Sequence, residues 1–121
     1  MSINTTYLDQ NDFCYLTTTG RVSGRPHTIE IWFAMNERTL YMLSGARDRA
    51  DWVKNLQRKP EVHVRIDQQH FNGHARVVGD QEEDALARRL VVSKYQPGES
   101  EDLSSWGRTA LPVAIDLHVE Q

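Results

Sequence analysis

The sequence predicts a mainly β, α+β fold in which six antiparallel strands curl into a small barrel and two helices lie outside it. Three observations lead to this prediction. Six short segments alternate apolar and polar residues or are rich in β-branched and aromatic residues, as strands are. Two segments repeat apolar residues at helical spacing, which gives the order β-β-β-α-β-β-α-β. Six antiparallel strands hide their edges better in a barrel than in an open sheet.

The first three strands precede the first helix. Residues 13–19 are rich in aromatic and β-branched residues, and residues 28–34 alternate apolar with polar side chains. These two segments should pair in antiparallel fashion. After the polar turn MNER, residues 39–44 form a third strand.

The first helix follows this strand and ends before Pro60, with Ala50, Val53 and Leu56 on its apolar face. Two further strands cover residues 62–66 and 71–78, joined by a turn at residues 67–69. They show the alternation expected of strands with one buried face.

The last part of the chain is predicted to contain one helix and one strand. Asp80 and Glu83 form a capping box that opens a helix ending near Tyr95. The stretch QPGESEDLSS, residues 96–105, is the longest irregular segment. Residues 111–119 alternate apolar and polar side chains after an early proline, which indicates a final strand.

Length and composition indicate one globular domain. A chain of 121 residues supports a single core, so one domain over residues 1–121 is expected. No apolar stretch approaches the roughly 20 residues of a membrane helix, and the first residues lack the basic and apolar regions of a signal peptide. These features predict a cytoplasmic protein with no membrane span. The single cysteine, Cys14, lies in the apolar run FCYL and should be a buried structural thiol.

Positive charge is concentrated in one third of the chain. The net charge is -3, which argues against binding to nucleic acid. Between residues 21 and 60, however, eight basic residues face four acidic ones. This local excess suits a small polyanionic ligand, and a solvated charged surface is the alternative.

A glycine-containing turn in the run LTTTGRVSGRPHTIEIWF, residues 16–33, collects donor side chains. Arg21, Ser23, Arg25 and His27 gather around one bend and form a compact set of donors for an anion. An ordinary polar hairpin is the alternative. The basic segment that follows, SGARDRADWVKN at residues 44–55, favours a binding site.

Several other kinds of site are not expected. His70 and His74 have the spacing of two ligands on a helix, but the residues between them indicate a strand, and with His63 they form no coordination set, so no metal site is predicted. The sequence contains no G-x-S-x-G elbow, Walker loop or Rossmann fingerprint.

Three motifs carry a resemblance to a known family. The runs TTTGRVSGRPHTIEIWF, DWVKNLQRKPEVHV and SSWGRTALPVAIDL occur in the order and at the separations typical of the deazaflavin-dependent nitroreductase family. The resemblance covers residues 13–117. It implies a six-stranded antiparallel split β-barrel, FMN-binding-like, with two or so peripheral helices, which agrees with the strand order above.

The resemblance also implies a cofactor, the 8-hydroxy-5-deazaflavin coenzyme F-420, whose tail carries a phosphate and an oligoglutamate chain. Arg21, Ser23 and His27 match the phosphate end, and basic residues such as Lys54 suit the tail. Position 22 is Val, where relatives often have a basic residue. The positions matched to the coenzyme groove are Arg21, Val22, Ser23, His27, Thr28, Ile29, Glu30, Ile31, Trp32, Met42, Leu43, Ser44, Gly45, Asp51, Trp52, Val53, Lys54 and Asn55.

The implied activity is hydride transfer from reduced F-420 to a small unsaturated, quinone or nitro acceptor. Ser44 is the candidate to hydrogen-bond the ring or the acceptor, and Trp32 to form an apolar wall beside it. Tyr95 and Trp106 are candidates for substrate contact. FMN in the same groove and a non-catalytic flavin-binding module are the alternatives. A second copy of the chain is expected to cover the open side of a half-barrel.

Overall fold

One curled antiparallel sheet of seven strands dominates the fold. The computed structural model describes residues 7–118. The strands are β1 (Cys14–Thr19), β2 (Pro26–Ile31), β3 (Ala34–Asn36), β4 (Thr39–Ser44), β5 (Glu61–Ile66), β6 (Gln69–Val77) and β7 (Leu111–Leu117). Their order in the sheet is β2-β1-β5-β6-β7-β4-β3, and every neighbouring pair is antiparallel. The sheet forms a half-barrel with β2 and β3 at its two edges.

The described part of the chain also contains three α-helices and three short 3-10 helices, the first of which, Leu8–Gln10, precedes β1. The α-helices are α1 (Asp51–Arg58), α2 (Gln81–Tyr95) and α3 (Ser104–Thr109). Helix α1 contacts β1 and β6, whereas α2 contacts β3, β4 and β7. The predicted fold class is confirmed. Asp80 caps the helix as predicted, because its carboxylate accepts a 2.9 Å hydrogen bond from the Glu83 amide. The Glu83 carboxylate bonds to Tyr41 and Arg76, so only this half of the predicted capping box forms.

The predicted count of six strands is corrected to seven, because the strand expected at residues 28–34 is broken. Strand β2 ends at Ile31, and the chain turns at Trp32 and Phe33 before β3 begins. Both backbone groups of Phe33 bond to the Tyr95 hydroxyl at 3.0 Å instead of to a neighbouring strand. The chain thereby passes from one edge of the sheet to the other, where β3 pairs with β4.

A third helix, α3, replaces the end of the predicted irregular segment. Its residues SSWGRT have low helix propensity, and long-range contacts hold it in place. The Arg88 guanidinium donates to the carbonyls of Gly107 at 2.9 Å and Ala110 at 2.7 Å, where the helix ends. The final strand ends at Leu117 instead of the predicted residue 119, and residue 119 lies outside the described residues.

The core lies on both faces of β4. Leu40 and Met42 face the inside of the half-barrel, where they join the cluster that includes Leu16 and Ile115. Tyr41 and Leu43 face outward and pack in a second cluster with the apolar residues of α2. This two-sided burial explains why β4 has a continuous apolar sequence.

Candidate functional site

A tight turn after β1 forms one side of a groove. The Gly20 amide donates to the Arg25 carbonyl at 2.8 Å, and the Gly24 amide donates to the Gly20 carbonyl at 2.9 Å. Gly24 has a φ of +72°, a conformation that side-chain-bearing residues rarely adopt. The turn directs its polar side chains toward the start of α1.

The groove lies between this turn and the first turns of α1 and has a volume of about 500 Å³. Nine of the predicted coenzyme positions line it, together with two residues that the sequence prediction missed. The lining residues are Thr18, Gly20, Arg21, Val22, Ser23, His27, Thr28, Ile29, Asp51, Trp52 and Asn55.

Asn55 ties the turn to the helix. Its side chain is buried, with 4% of the residue exposed, and its Oδ1 atom accepts from both the backbone amide (3.2 Å) and the Nη1 atom (2.8 Å) of Arg21. Its Nδ2 atom donates to the buried Thr18 hydroxyl at 3.3 Å. The Arg21 guanidinium also donates through Nη2 to the Asp51 carboxylate at 3.1 Å. The cation at the groove is therefore held by the buried Asn55 and paired with the exposed Asp51, both on α1.

Two further donors converge above Gly20. A Cβ atom added to Gly20 would lie 2.7 Å from both the His27 Nε2 atom and the Ser23 Oγ atom. Only a glycine leaves room for both side chains at this point. Guanidinium, hydroxyl and imidazole groups thus line the same groove, and this donor set suits an anionic oxygen ligand.

The rest of the groove is more apolar. Trp52 and Ile29 are half-buried and pack against the inner core, so they form a fixed wall. Val22 projects into solvent from the turn, with 93% of the residue exposed. The groove therefore combines a polar end with an apolar side, an arrangement typical of small-molecule sites.

The alternation of β2 separates the remaining predicted residues of that strand. Ile31 packs with Ile29 against the inner core, while Thr28 and Glu30 alternate with them and face outward. The Thr28 hydroxyl bonds to that of Thr17 at 2.7 Å, and Glu30 accepts from the Tyr15 hydroxyl at 3.3 Å. Thr28 lines the groove, but its hydroxyl is hydrogen-bonded to Thr17 on the outer face of the sheet.

The residues predicted around the end of β4 do not line the groove. Met42 and Leu43 are buried in the two core clusters. Ser44, with 2% of its surface exposed, donates its hydroxyl to the Arg47 carbonyl at 2.9 Å. Gly45 lies close to the Trp106 indole nitrogen. On α1, Val53 is fully buried and Lys54 is exposed, and neither lines the groove.

Trp32, Tyr95 and Trp106 come together outside the groove in an aromatic cluster. The rings of Trp32 and Tyr95 are stacked at 4.2 Å, and Trp106 meets Trp32 edge-on at 5.8 Å. Burial raises the pKa of Tyr95 above its usual value, and its hydroxyl donates toward the Asp12 and Phe33 carbonyls at 2.8 and 3.0 Å. Tyr95 therefore has a structural role in this conformation, while Trp32 and Trp106 keep partly exposed surfaces.

His70 and His74, predicted to lie on a strand, are both exposed residues of β6. His63 and His70 sit on the exposed face of the β5-β6 pair, where their ring nitrogens approach to 2.9 Å. Within residues 7–118, no group of three or more His, Cys, Asp or Glu side chains is arranged to hold a metal ion. None of the helices in that range is long and apolar enough to cross a membrane.

Solved structures share this fold at low sequence identity. An F420-H2 dependent reductase aligns with a TM-score of 0.69 at 20% identity, covering 88% of this chain and 94% of that one. An FAD-binding protein from Mesorhizobium loti gives 0.68 at 18% identity, covering 95% and 87%. A domain-swapped dimer gives 0.69 at 21% identity, covering 88% and 80%. At these identities the likeness establishes the fold, and the chain is a split-barrel protein.

The sequence family is more specific. The model of the F420H(2)-dependent quinone reductase family matches residues 3–118, and the chain belongs to that family. It is therefore an oxidoreductase that uses coenzyme F-420. The predictions of a deazaflavin-dependent family and of this coenzyme are confirmed.

Proposed function

We propose that this chain, as a single domain, transfers a hydride from reduced F-420 to a small unsaturated, quinone or nitro acceptor. The observation that carries the proposal is the groove, where three kinds of donor meet beside an apolar wall in a member of an F-420-dependent family. A coenzyme with an anionic tail and a flat ring requires both features.

The polar end of the groove fits the phosphate of the coenzyme. Arg21 supplies a guanidinium that Asn55 holds in place, and guanidinium groups bind phosphate oxygens bidentately. Ser23 and His27 add a hydroxyl and an imidazole that converge over Gly20. Bound along the groove, the reduced coenzyme supplies the hydride. These side chains would hold the tail, and Trp52 and Ile29 would form the apolar wall beside the ring and exclude water from it.

For the acceptor we propose a site next to the partly exposed Trp32 and Trp106. Tyr95 stacks on Trp32 and bonds to the turn between β2 and β3, so it positions the indole. The Ser44 hydroxyl can reach a ligand only after leaving the Arg47 carbonyl. We propose Ser44 as a contact for the acceptor, a role that requires the loop before α1 to move.

Coenzyme titration tests the proposal. The purified protein is titrated with F-420 and with FMN, and F-420 binding is expected in the micromolar range or below. Arg21→Ala should weaken F-420 binding by about tenfold or more, because it removes charge-assisted hydrogen bonds. Arg25→Ala is the matched control, since Arg25 lies in the same turn but does not line the groove. It should change the affinity by no more than about twofold.

Further measurements test whether the protein catalyses hydride transfer and which cofactor it uses. Reduced F-420 should be oxidised in the presence of a quinone such as menadione, at a rate proportional to enzyme concentration. Micromolar binding of FMN without any response to F-420 contradicts the proposal and favours an FMN protein. Binding of F-420 without turnover of quinone, nitro or enone acceptors favours a non-catalytic module.

We also propose a homodimer. The outer face of β1, β2, β5 and β6 carries polar side chains that a second copy could cover, including the exposed Glu30 and the half-buried Thr17 and His63. A fold neighbour that is a domain-swapped dimer supports the proposal. Light scattering should give about twice the chain mass of 14.0 kDa, and a monomer across the micromolar range contradicts it.

A further inference from the structure

We propose that Asp51 is an internal counter-anion that determines the affinity of the groove for anions. Its carboxylate occupies one of the hydrogen-bonding positions on Arg21 and competes there with a ligand phosphate. The inference rests on the proposed function in identifying the physiological ligand as F-420. The chemical class that it assigns is a phosphate ester with several oxygens available for contact.

The two residues of α1 that bind Arg21 differ in how firmly they are held. Asn55 is buried and makes three hydrogen bonds. Asp51 makes one contact to the Arg21 side chain, at 3.1 Å, and its side chain is 85% exposed. A solvated carboxylate with a single contact is easily displaced, whereas the buried amide is not. Asn55 therefore keeps the guanidinium in place when Asp51 moves away.

Because few charged groups line the groove, replacement of Asp51 by a ligand on Arg21 strongly affects anion affinity. The titratable side chains that line it are Arg21, His27 and Asp51. With Asp51 paired to Arg21, a simple anion gains little there, because the Asp51 carboxylate already offsets the charge of the guanidinium. A phosphate ester that also reaches Ser23 and His27 gains contacts that Asp51 does not make. The Arg21–Asp51 pair thus favours binding of anions that make several contacts over binding of simple anions.

The exchange also influences release of the ligand. Each hydride transfer leaves an oxidised coenzyme that a reduced one must replace, so the groove has to empty in every cycle. As the phosphate leaves, Asp51 can pair again with Arg21 and compete with rebinding. Removing the carboxylate should therefore tighten binding, mainly by slowing dissociation.

The test compares two charge-neutralising variants at low salt. Asp51→Asn should bind F-420 and inorganic pyrophosphate about two- to fivefold more tightly than the parent protein, the range expected for loss of an exposed ion pair. Asp48→Asn is the matched control, because it removes the same charge from an exposed position that does not line the groove. Its affinity should stay close to that of the parent. The gain at residue 51 should shrink in 0.5 M NaCl because salt screens exposed charges.

A double substitution separates the exchange from general repulsion. In an Arg21→Gln background, adding Asp51→Asn should give no further gain if the carboxylate acts through Arg21. An Asp51→Asn variant that binds as Asp48→Asn does, or more weakly than the parent, overturns the proposal. The proposal is also overturned if neither F-420 nor pyrophosphate binds to any of the variants. If pyrophosphate shows the expected shift but F-420 does not bind, the inference stands and the proposed function fails.

Discussion

Replacing Asn55 by Ala should destabilise the fold as well as the groove. The substitution removes three hydrogen bonds and leaves the hydroxyl of Thr18, which is 1% exposed, without its amide partner. The Arg21 donors can recover water, so the loss of the buried hydroxyl's partner and the vacated volume account for most of the cost. Together these terms give ~2–3 kcal/mol.

The assay is thermal unfolding followed by circular dichroism. At ~2.1 cal/mol/K per residue, 121 residues give an unfolding entropy of about 0.25 kcal/mol/K, so the loss corresponds to ~8–12 °C in Tm. Gln57→Ala on the exposed side of the same helix is the control and should stay within about 2 °C. Adding Thr18→Val to Asn55→Ala should restore part of the stability, because the unpaired hydroxyl is gone. If the Asn55 variant unfolds within 2 °C of the Gln57 control, the hydrogen bonds of Asn55 to Arg21 and Thr18 do not stabilise the fold.

Two other predictions concern the turn and the acid side of the stability curve. Gly20→Ala should abolish tight F-420 binding while keeping a cooperative unfolding transition, because the new methyl group meets only the ends of the His27 and Ser23 side chains. Gly24→Ala should instead lower the free energy of unfolding by ~1 kcal/mol. Nothing lies within 4 Å of the added methyl group there, so the cost comes from the backbone, whose φ is +72°. The pKa values of Glu83 and Asp116 are lowered, chiefly by hydrogen bonds from Arg76. Their contribution to the stability of the fold is therefore complete above the ordinary pKa values of 4.5 and 3.8, and it is lost as the pH falls below those values. Arg76→Leu should flatten the fall in Tm between pH 6 and pH 3, and an unchanged slope would contradict this assignment.

Local patterns were sufficient to predict most of the strands. The continuous apolar run of β4 and the alternation along β5 depend on which faces are buried, and this information is present within each segment. The break after Ile31 could not be predicted in this way. It depends on the Tyr95 hydroxyl, 62 residues away in the chain, which replaces a neighbouring strand as the partner of Phe33.

The third helix illustrates the same limit. Its sequence favours a loop, and the structure supplies the missing stabilisation through Arg88, which comes from a different helix and bonds to carbonyls at the helix end. Propensity describes the free segment, whereas Arg88 acts only once α2 has packed on the sheet. A sequence pattern spanning so few residues carries no sign of such a contact.

The candidate site divides along similar lines. Arg21, Ser23 and His27 line the same groove because they belong to one turn and the start of the strand after it, so their proximity was predictable. The contribution of Thr18 was missed, since an inward-facing threonine in a strand gives no local sign that a distant amide will bond to it. The family motif indicated Asn55, but only the structure shows that it binds the turn instead of lying free for a ligand.

Helix α1 supplies two different functions from two positions one turn apart. Residues four apart lie on the same face of a helix, so Asp51 and Asn55 both reach Arg21. Burial then separates their roles, because the amide contributes to the fold and the carboxylate can exchange with a ligand. A substitution at position 55 should therefore change stability and affinity together, whereas one at position 51 should change affinity with little effect on the core. Measured on the same variants, this separation distinguishes a groove with a displaceable counter-anion from a turn whose ion pair only supports the fold.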